Sequence, residues 1–126
     1  MSEQELLDEC MALIGSRFLG ASKVNEYRYA TNLIVGDTGE CWQFKGGSSP
    51  SFGKLCSETN KVTGIHNDRT FTSEALKPIC EVELNADTLL KIVKEGCNPQ
   101  RLYGQGLLLV RGDSRAALPL ISLWGL

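Results

Sequence analysis

Hydrophobic residues change their spacing several times along this chain, and that change restricts the fold more than any other feature of the sequence. Near the N-terminus they recur every three or four residues, which is the period of an amphipathic helix. From Tyr27 to Val35 they occupy every second position, which is the period of a strand. Both periods return in the second half, so we expect helices and strands in the same chain.

The N-terminal segment predicts one amphipathic helix. Ser2 followed by Glu5 forms a capping box, in which the two side chains satisfy backbone N–H groups at a helix start. The helix continues to about Gly20, and its apolar stripe consists of Leu7, Met11, Ile14 and Phe18.

A β-hairpin is expected after this helix. The alternating strand that ends at Val35 is followed by the short turn Asp37-Thr38-Gly39, after which Trp42 and Phe44 occupy alternate positions. The two strands should pair antiparallel, with both aromatic rings on one face.

Residues 46–77 are rich in Gly, Ser, Thr, Asn and Lys, so we expect loops there with one or two short strands.

The second half of the chain predicts a strand, two helices and another strand. Residues 80–84 alternate as a strand with one wet face. Asn85 or Asp87 can cap the helix that follows, and Gly96 ends it. Pro99 suits the first turn of a further short helix, because its fixed φ angle is already helical.

The last part of the chain is its most apolar part. Residues 107–110 form an uninterrupted apolar run, which predicts a strand covered on both faces in the middle of a sheet. Asp113 or Ser114 can cap a final helical segment, and Pro119 should kink or restart it.

Residues that carry chemistry do not form a catalytic or metal-binding pattern. The single histidine, His66, lies in a polar segment, and the five cysteines are scattered without a CxxC pair. We expect reduced thiols that behave as small hydrophobic side chains. The segment from Gly47 to Lys54 superficially resembles a phosphate-binding loop, but Ser48 stands where that motif needs its first Gly, and Leu55 stands where it needs Ser or Thr. We therefore predict no enzymatic activity, no metal and no cofactor.

Charge and length restrict the partners and the location. A net charge of -2 provides no excess of basic residues for a phosphate backbone, so a nucleic-acid partner is not expected. The N-terminus is acidic, and no apolar run approaches the roughly 20 residues that cross a bilayer. We expect a cytoplasmic protein that does not insert stably into membranes, folded as one domain over residues 1–126.

The segment CEVELNADTLLKIVKEGCNPQRLYGQGLLLVRGD resembles the C-terminal core of the sterol carrier protein 2 family. The likeness lies in the order of strand, helix, short Asn98-Pro99 helix and strand, with Gly106 and Gly112 at the ends of that strand. The hairpin with Trp42 and Phe44 is similar to the early strands of the family. The resemblance implies an α+β fold: a mostly antiparallel sheet of about five strands, covered by helices that include an N-terminal and a C-terminal one.

The resemblance also implies a function. It suggests noncovalent binding or transfer of a hydrophobic ligand, such as a fatty acyl chain, a sterol or a similar lipid, in an internal apolar cavity. Tyr103 and Gln105 are the expected polar groups that orient the ligand. The helix from Ser114 is expected to act as a gate, because Pro119 weakens its hydrogen bonding. The predicted lining comprises Trp42, Phe44, Leu89, Leu90, Val93, Leu102, Tyr103, Gln105, Leu107, Leu109, Leu120, Ile121 and Trp124.

A second function fits the same residues. Periodic apolar positions are usually packed core, so the interior can also be filled rather than hollow. The protein is then a structural or interaction domain that forms a homodimer or binds a protein partner through a face around Leu118, Leu120 and Trp124. A lipid that copurifies with the protein would indicate the first function, and an oligomer without lipid would indicate the second.

Overall fold

A computed structural model describes residues 3–20, 30–47, 50–56, 58–66, 69–115 and 117. A further helical turn begins at Ser114. The elements before it run in the order α1 (Glu3–Leu19), β1 (Ala30–Val35), β2 (Glu40–Lys45), β3 (Ser51–Cys56), β4 (Lys61–His66), β5 (Arg69–Glu74), β6 (Cys80–Leu84), α2 (Ala86–Lys94), α3 (Pro99–Gly104) and β7 (Leu109–Gly112).

The strands form one sheet in the order β5-β4-β3-β2-β1-β6-β7. β1 and β6 run parallel, and every other neighbouring pair is antiparallel. The predicted α+β fold with a mostly antiparallel sheet is therefore confirmed. The sheet has seven strands instead of about five, because residues 46–77 contribute the meander β3-β4-β5. The sequence pattern did not reveal β3 and β4, because they contain Gly53 and Gly64. Glycine is uncommon in strands and interrupts the alternation of apolar and polar side chains.

The predicted first hairpin is confirmed. β1 and β2 pair antiparallel with Leu33 opposite Trp42 and Thr31 opposite Phe44, so both aromatic side chains project from the same face. We call this the inner face of the sheet. Tyr27 and Tyr29, which begin the strand in the sequence-based prediction, lie outside the described residues.

The hydrophobic core lies between α1, α2 and the inner face. The side chains that α1 contributes are at most 1% exposed, which confirms the predicted amphipathic helix: Leu7, Cys10, Met11, Ile14 and Phe18. From the sheet come fully buried side chains such as Leu33, Val35 and Val82. The predicted capping box begins at Ser2, which lies outside the described residues.

Helix α2 is capped from a distance. Asn85 occupies the predicted N-cap position, but its side chain makes no capping hydrogen bond. Instead, Oδ1 of Asp37 in the β1–β2 turn accepts a hydrogen bond from the backbone N–H of Ala86 at 3.1 Å. The short helix α3 follows the prediction more closely: it begins at Pro99, and Oδ1 of Asn98 accepts from the N–H of Gln100 at 3.0 Å.

The prediction of a central strand over residues 107–110 is wrong. β7 begins at Leu109 and forms an edge of the sheet, paired with β6. Leu107 and Leu109 are 43% and 52% exposed, whereas Leu108 between them is buried. A continuous apolar run does not show which of its residues face the core, and here the chain alternates between core and solvent.

The link between β5 and β6 crosses the outer face of the sheet, because β5 lies at one edge and β6 lies near the other. Gln43 holds this crossover segment, residues 75–79, in place. Its Nε2 donates to Leu76 O at 2.9 Å and to Asn32 Oδ1 at 2.9 Å, and its Oε1 accepts from Leu76 N–H at 3.0 Å. These bonds satisfy both polar side-chain atoms of Gln43 and the side-chain oxygen of Asn32, and both residues are buried.

Candidate functional site

An apolar groove of about 420 Å³ lies between α1 and the inner face of the sheet. The helix contributes the stripe Asp8, Ala12, Gly15, Ser16 and Leu19. These positions follow helical spacing and lie beside the stripe that faces the core. The sheet contributes Trp42 from β2, Phe52 and Gly53 from β3, and Gly64 from β4.

A stack of aromatic rings forms one wall of the groove. The rings of Trp42 and Phe52 lie 5.3 Å apart and are nearly parallel, at 9°. Phe52 also contacts Phe44 at 4.8 Å, and Phe44 meets Phe18 of α1 edge to face at 5.2 Å. Phe18 and Phe44 are fully buried beneath the two half-buried rings. The wall is therefore fixed to the core and does not depend on one exposed side chain.

Glycines allow the helix and the two strands to approach one another. A Cβ atom on Gly15 would overlap the ring of Phe52, so only glycine lets this ring lie against α1. Gly53 and Gly64 face each other across β3 and β4. A Cβ on Gly53 would lie 2.7 Å from Thr63 O, and one on Gly64 would overlap Phe52 O. Backbone, instead of side chains, forms this part of the groove.

A charged pair stands beside the aromatic wall. The ammonium of Lys54, the residue after Gly53, lies 5.8 Å from the centre of the Trp42 ring and 3.4 Å from Glu40 Oε2. The Glu40 side chain is only 12% exposed. Lys54 is close enough for an ion pair but is not oriented for a hydrogen bond to this oxygen. Neither Glu40 Oε2 nor Trp42 Nε1 has a hydrogen-bond partner among the described residues, although both atoms are buried.

Of the predicted lining residues, Trp42 lies in the groove. The structure places four others in the packed core: Phe44, Leu89, Val93 and Leu102. Leu90 is partly buried against that core. Tyr103, Gln105, Leu107 and Leu109 are exposed on or near α3 and β7. Leu120, Ile121 and Trp124 lie outside the described residues.

Sequence reasoning missed most of the residues that line the groove. One usable signal was Gly15 inside a helical pattern, because a glycine there costs about 1 kcal/mol relative to alanine and marks a close approach. Phe52 stood alone in a polar segment and had no periodic neighbours to identify its strand. Gly53 and Gly64 contribute through their backbone, for which the sequence carries no side-chain pattern.

The thiols differ strongly in their surroundings. Hydrogen bonds from the Thr59 side chain and from the backbone of Thr59 and Glu58 lower the pKa of the exposed Cys56 thiol. Burial, with a smaller contribution from Glu81, raises the pKa of Cys41 to about 11.

In the described part of the chain, no group of three or more potential metal ligands is assembled.

None of the helices in the described ranges is long and apolar enough to span a bilayer.

No family model and no curated protein matches this sequence. Solved structures do match. The crystal structure of sterol carrier protein 2 like 2 from Aedes aegypti superposes with a TM-score of 0.61 at 13% sequence identity, over 95% of this chain and 97% of that one. This chain has the sterol carrier protein 2 fold.

Two further solved structures also match this chain. The solution structure of palmitated sterol carrier protein 2 like 2 from Aedes aegypti matches with a TM-score of 0.54 and 17% identity, over 98% of this chain and 95% of that one. The inverting sec-alkylsulfatase Pisa1 from Pseudomonas sp. matches over 80% of this chain, with a TM-score of 0.49 and 16% identity. The chain spans 13% of the length of that sulfatase.

Proposed function

We propose that this protein binds a lipid with an extended acyl chain noncovalently in the groove between α1 and strands β2 to β4. The observation that carries the proposal is that an apolar groove lies open beside the packed core that the described residues form. Its volume of about 420 Å³ lies within the range of small-molecule sites, roughly 300–1,000 Å³. A protein of the same fold has been solved in a palmitated form, which agrees with an acyl ligand.

The apolar lining supplies the driving force for such a ligand. Each buried methylene contributes about 0.8 kcal/mol, so twelve methylenes contribute about 10 kcal/mol. The lower estimates of the cost of association are about 4 kcal/mol. The difference of about 6 kcal/mol corresponds to a dissociation constant of tens of micromolar. Such an affinity suits a carrier that takes up and releases its ligand without chemistry.

The gating role predicted for the C-terminal segment remains part of the proposal. Oδ1 of Asp113 accepts a hydrogen bond from the N–H of Arg115 at 3.0 Å, as expected for the cap of a helix that starts at Ser114. Residues 118–126 lie outside the described ranges. Hydrogen exchange tests the gate, because backbone amides after Asp113 should exchange faster than those of the central strands.

The binding experiment uses Trp42 as its reporter. In a Trp124→Phe protein, 9,10-dibromostearate and 9,10-dibromo-octadecanol should quench the fluorescence of Trp42, because bromine quenches only at short range. Ala12→Trp places a large ring in the groove and should weaken both ligands at least about tenfold, a loss of about 1.4 kcal/mol. This variant is read by native mass spectrometry, since it adds a second indole.

Leu13→Trp is the matched control, because Leu13 is exposed on the same helix and does not line the groove. It should retain the ligand that native mass spectrometry detects in the unaltered protein. Equal binding by the Ala12→Trp and Leu13→Trp proteins would place the ligand elsewhere. A protein without copurifying lipid and without quenching, but with a stable oligomer, would favour the interaction domain instead.

A further inference from the structure

The unsatisfied polar atoms beside the groove carry information about the ligand's head group, provided that the groove binds a lipid as proposed. Glu40 and Trp42 are two residues apart on β2, so their side chains project from the same face about 7 Å apart. Glu40 Oε2 is a buried acceptor and Trp42 Nε1 is a buried donor, and neither has a hydrogen-bond partner among the described residues, although Lys54 lies within ion-pair distance of Glu40. A buried polar atom without a partner costs about 1–3 kcal/mol, so a bound group that satisfies both is favoured.

Charge decides between the common head groups of single-chain lipids. Among the described residues, Lys54 is the cation that lies over the Trp42 ring, and it is already paired with the largely buried Glu40. A fatty acid carboxylate would have to share this one cation with Glu40, and two carboxylates around one ammonium repel each other. A quaternary ammonium head group has no hydrogen to donate to Glu40. A hydroxyl group both donates and accepts, so it can donate to Glu40 and accept from Trp42 or Lys54.

We infer that Glu40, Trp42 and Lys54 form the head-group site of this groove and select an uncharged hydroxyl over a carboxylate. The Lys54 side chain is half exposed, so its ammonium can turn towards water and leave Glu40 Oε2 to the ligand. The preferred ligand is thus a long-chain alcohol or another lipid with a free hydroxyl at one end.

The test compares two ligands that share one chain. Quenching of Trp42 by 9,10-dibromo-octadecanol and by 9,10-dibromostearate is titrated in the Trp124→Phe protein at neutral pH. The alcohol should bind about tenfold more tightly than the carboxylate. Glu40→Gln removes the charge and adds a donor that a carboxylate can use, so it should abolish or reverse this preference. Lys54→Met leaves Glu40 without its cation and should increase the preference.

Glu74→Gln is the matched control, because Glu74 also pairs with a lysine, Lys61 at 4.0 Å, but lies on the edge strand β5, away from Trp42 on β2. It should leave the preference unchanged. Equal affinities for the two lipids, a preference for the carboxylate, or no effect of Glu40→Gln would overturn the head-group site while leaving lipid binding intact. Failure of both lipids to quench Trp42 would overturn the proposed function itself.

Discussion

At the scale of single residues, one hydrogen atom at position 15 sets how closely α1 approaches β3. Gly15 lies in the middle of a helix, where alanine would normally be preferred by about 1 kcal/mol. The ring of Phe52 occupies the space that a Cβ atom would need. The contact therefore outweighs helix propensity, and the same contact holds the outer ring of the aromatic wall in place.

Replacing Gly15 with alanine should reduce both stability and lipid binding. The methyl group must displace the Phe52 ring, and overpacking of this kind costs about 1–3 kcal/mol, of which helix propensity returns about 1 kcal/mol. We expect a net loss of about 1 kcal/mol in urea unfolding and weaker quenching of Trp42 by dibrominated lipid. Gly104→Ala is the control, because nothing lies within 4 Å of a Cβ there. A more stable Gly15→Ala protein with unchanged binding would contradict the role of this contact.

Cys56 should be the most reactive thiol of the described chain. Its hydrogen bonds with Thr59 and Glu58 lower its pKa, so a larger fraction is thiolate at pH 7 than in a free cysteine. Cys41, with a pKa raised to about 11, stays protonated at that pH. Labelling with a disulfide reagent should show a fast phase that Cys56→Ser removes and Cys41→Ser leaves. A fast phase that survives in the Cys56→Ser protein would refute this assignment.

Trp42 and Phe44 illustrate what the sequence pattern can and cannot predict about the site. Trp42 was predicted to line the site because it alternates within a recognisable hairpin. Phe44 alternates in the same way but lies in the core, because α1 covers its end of β2 through Phe18. Which of two equivalent aromatic residues stays accessible depends on where the helix crosses the sheet, and no pattern in either segment contains that information.

At the scale of elements, the start of α2 depends on the hairpin rather than on its own first residue. Asp37 provides the acceptor for Ala86 N–H and also places a negative charge near the positive end of the helix. The sequence pointed to Asn85 because capping residues usually precede the helix directly. A cap supplied from a distant turn leaves no local signal.

Asp37→Ala should therefore destabilise the protein by about 1 kcal/mol, while Asn85→Ala should change its stability by less than about 0.5 kcal/mol. Urea unfolding of the two variants measures the difference directly. Hydrogen exchange at Ala86 should accelerate in the Asp37→Ala protein alone. The reverse order of the two stabilities would show that the turn does not cap α2.

For the whole molecule, the fold was more predictable than the site. The order of strand, helix, short helix and strand over residues 80–112 is set by local signals: alternation, Pro99 and positive-φ glycines such as Gly96 and Gly106. These signals hold regardless of what packs against them. The groove instead lies where α1 packs over β2, β3 and β4. Two of these strands contain glycines that interrupt the strand pattern in the sequence. The position of the groove is a property of the assembled layers, so the sequence could suggest an apolar site without locating it.

Hydrogen exchange with and without lipid distinguishes the observed groove from the lining that the sequence predicted. Bound 9,10-dibromo-octadecanol should slow the early exchange of peptides from α1 and from β2 to β4, since these elements surround the groove. Peptides from α3 and β7 should change little at the same early times. Protection concentrated at residues 102–110 would show that the ligand occupies the interior suggested by the sequence instead.

The crossover segment over the outer face has an implication for how this architecture can diversify. The chain leaves β2, builds the meander, and returns through residues 75–79 to place β6 beside β1. The meander is therefore an excursion between β2 and β6, and the pairing of β1 with β6 does not involve it. Insertions or deletions there would reshape the groove wall that β3 and β4 form, while the β1–β6 register stays the same. Changes of length in this excursion therefore alter the shape of the groove more directly than they alter the parallel pair at the other end of the sheet.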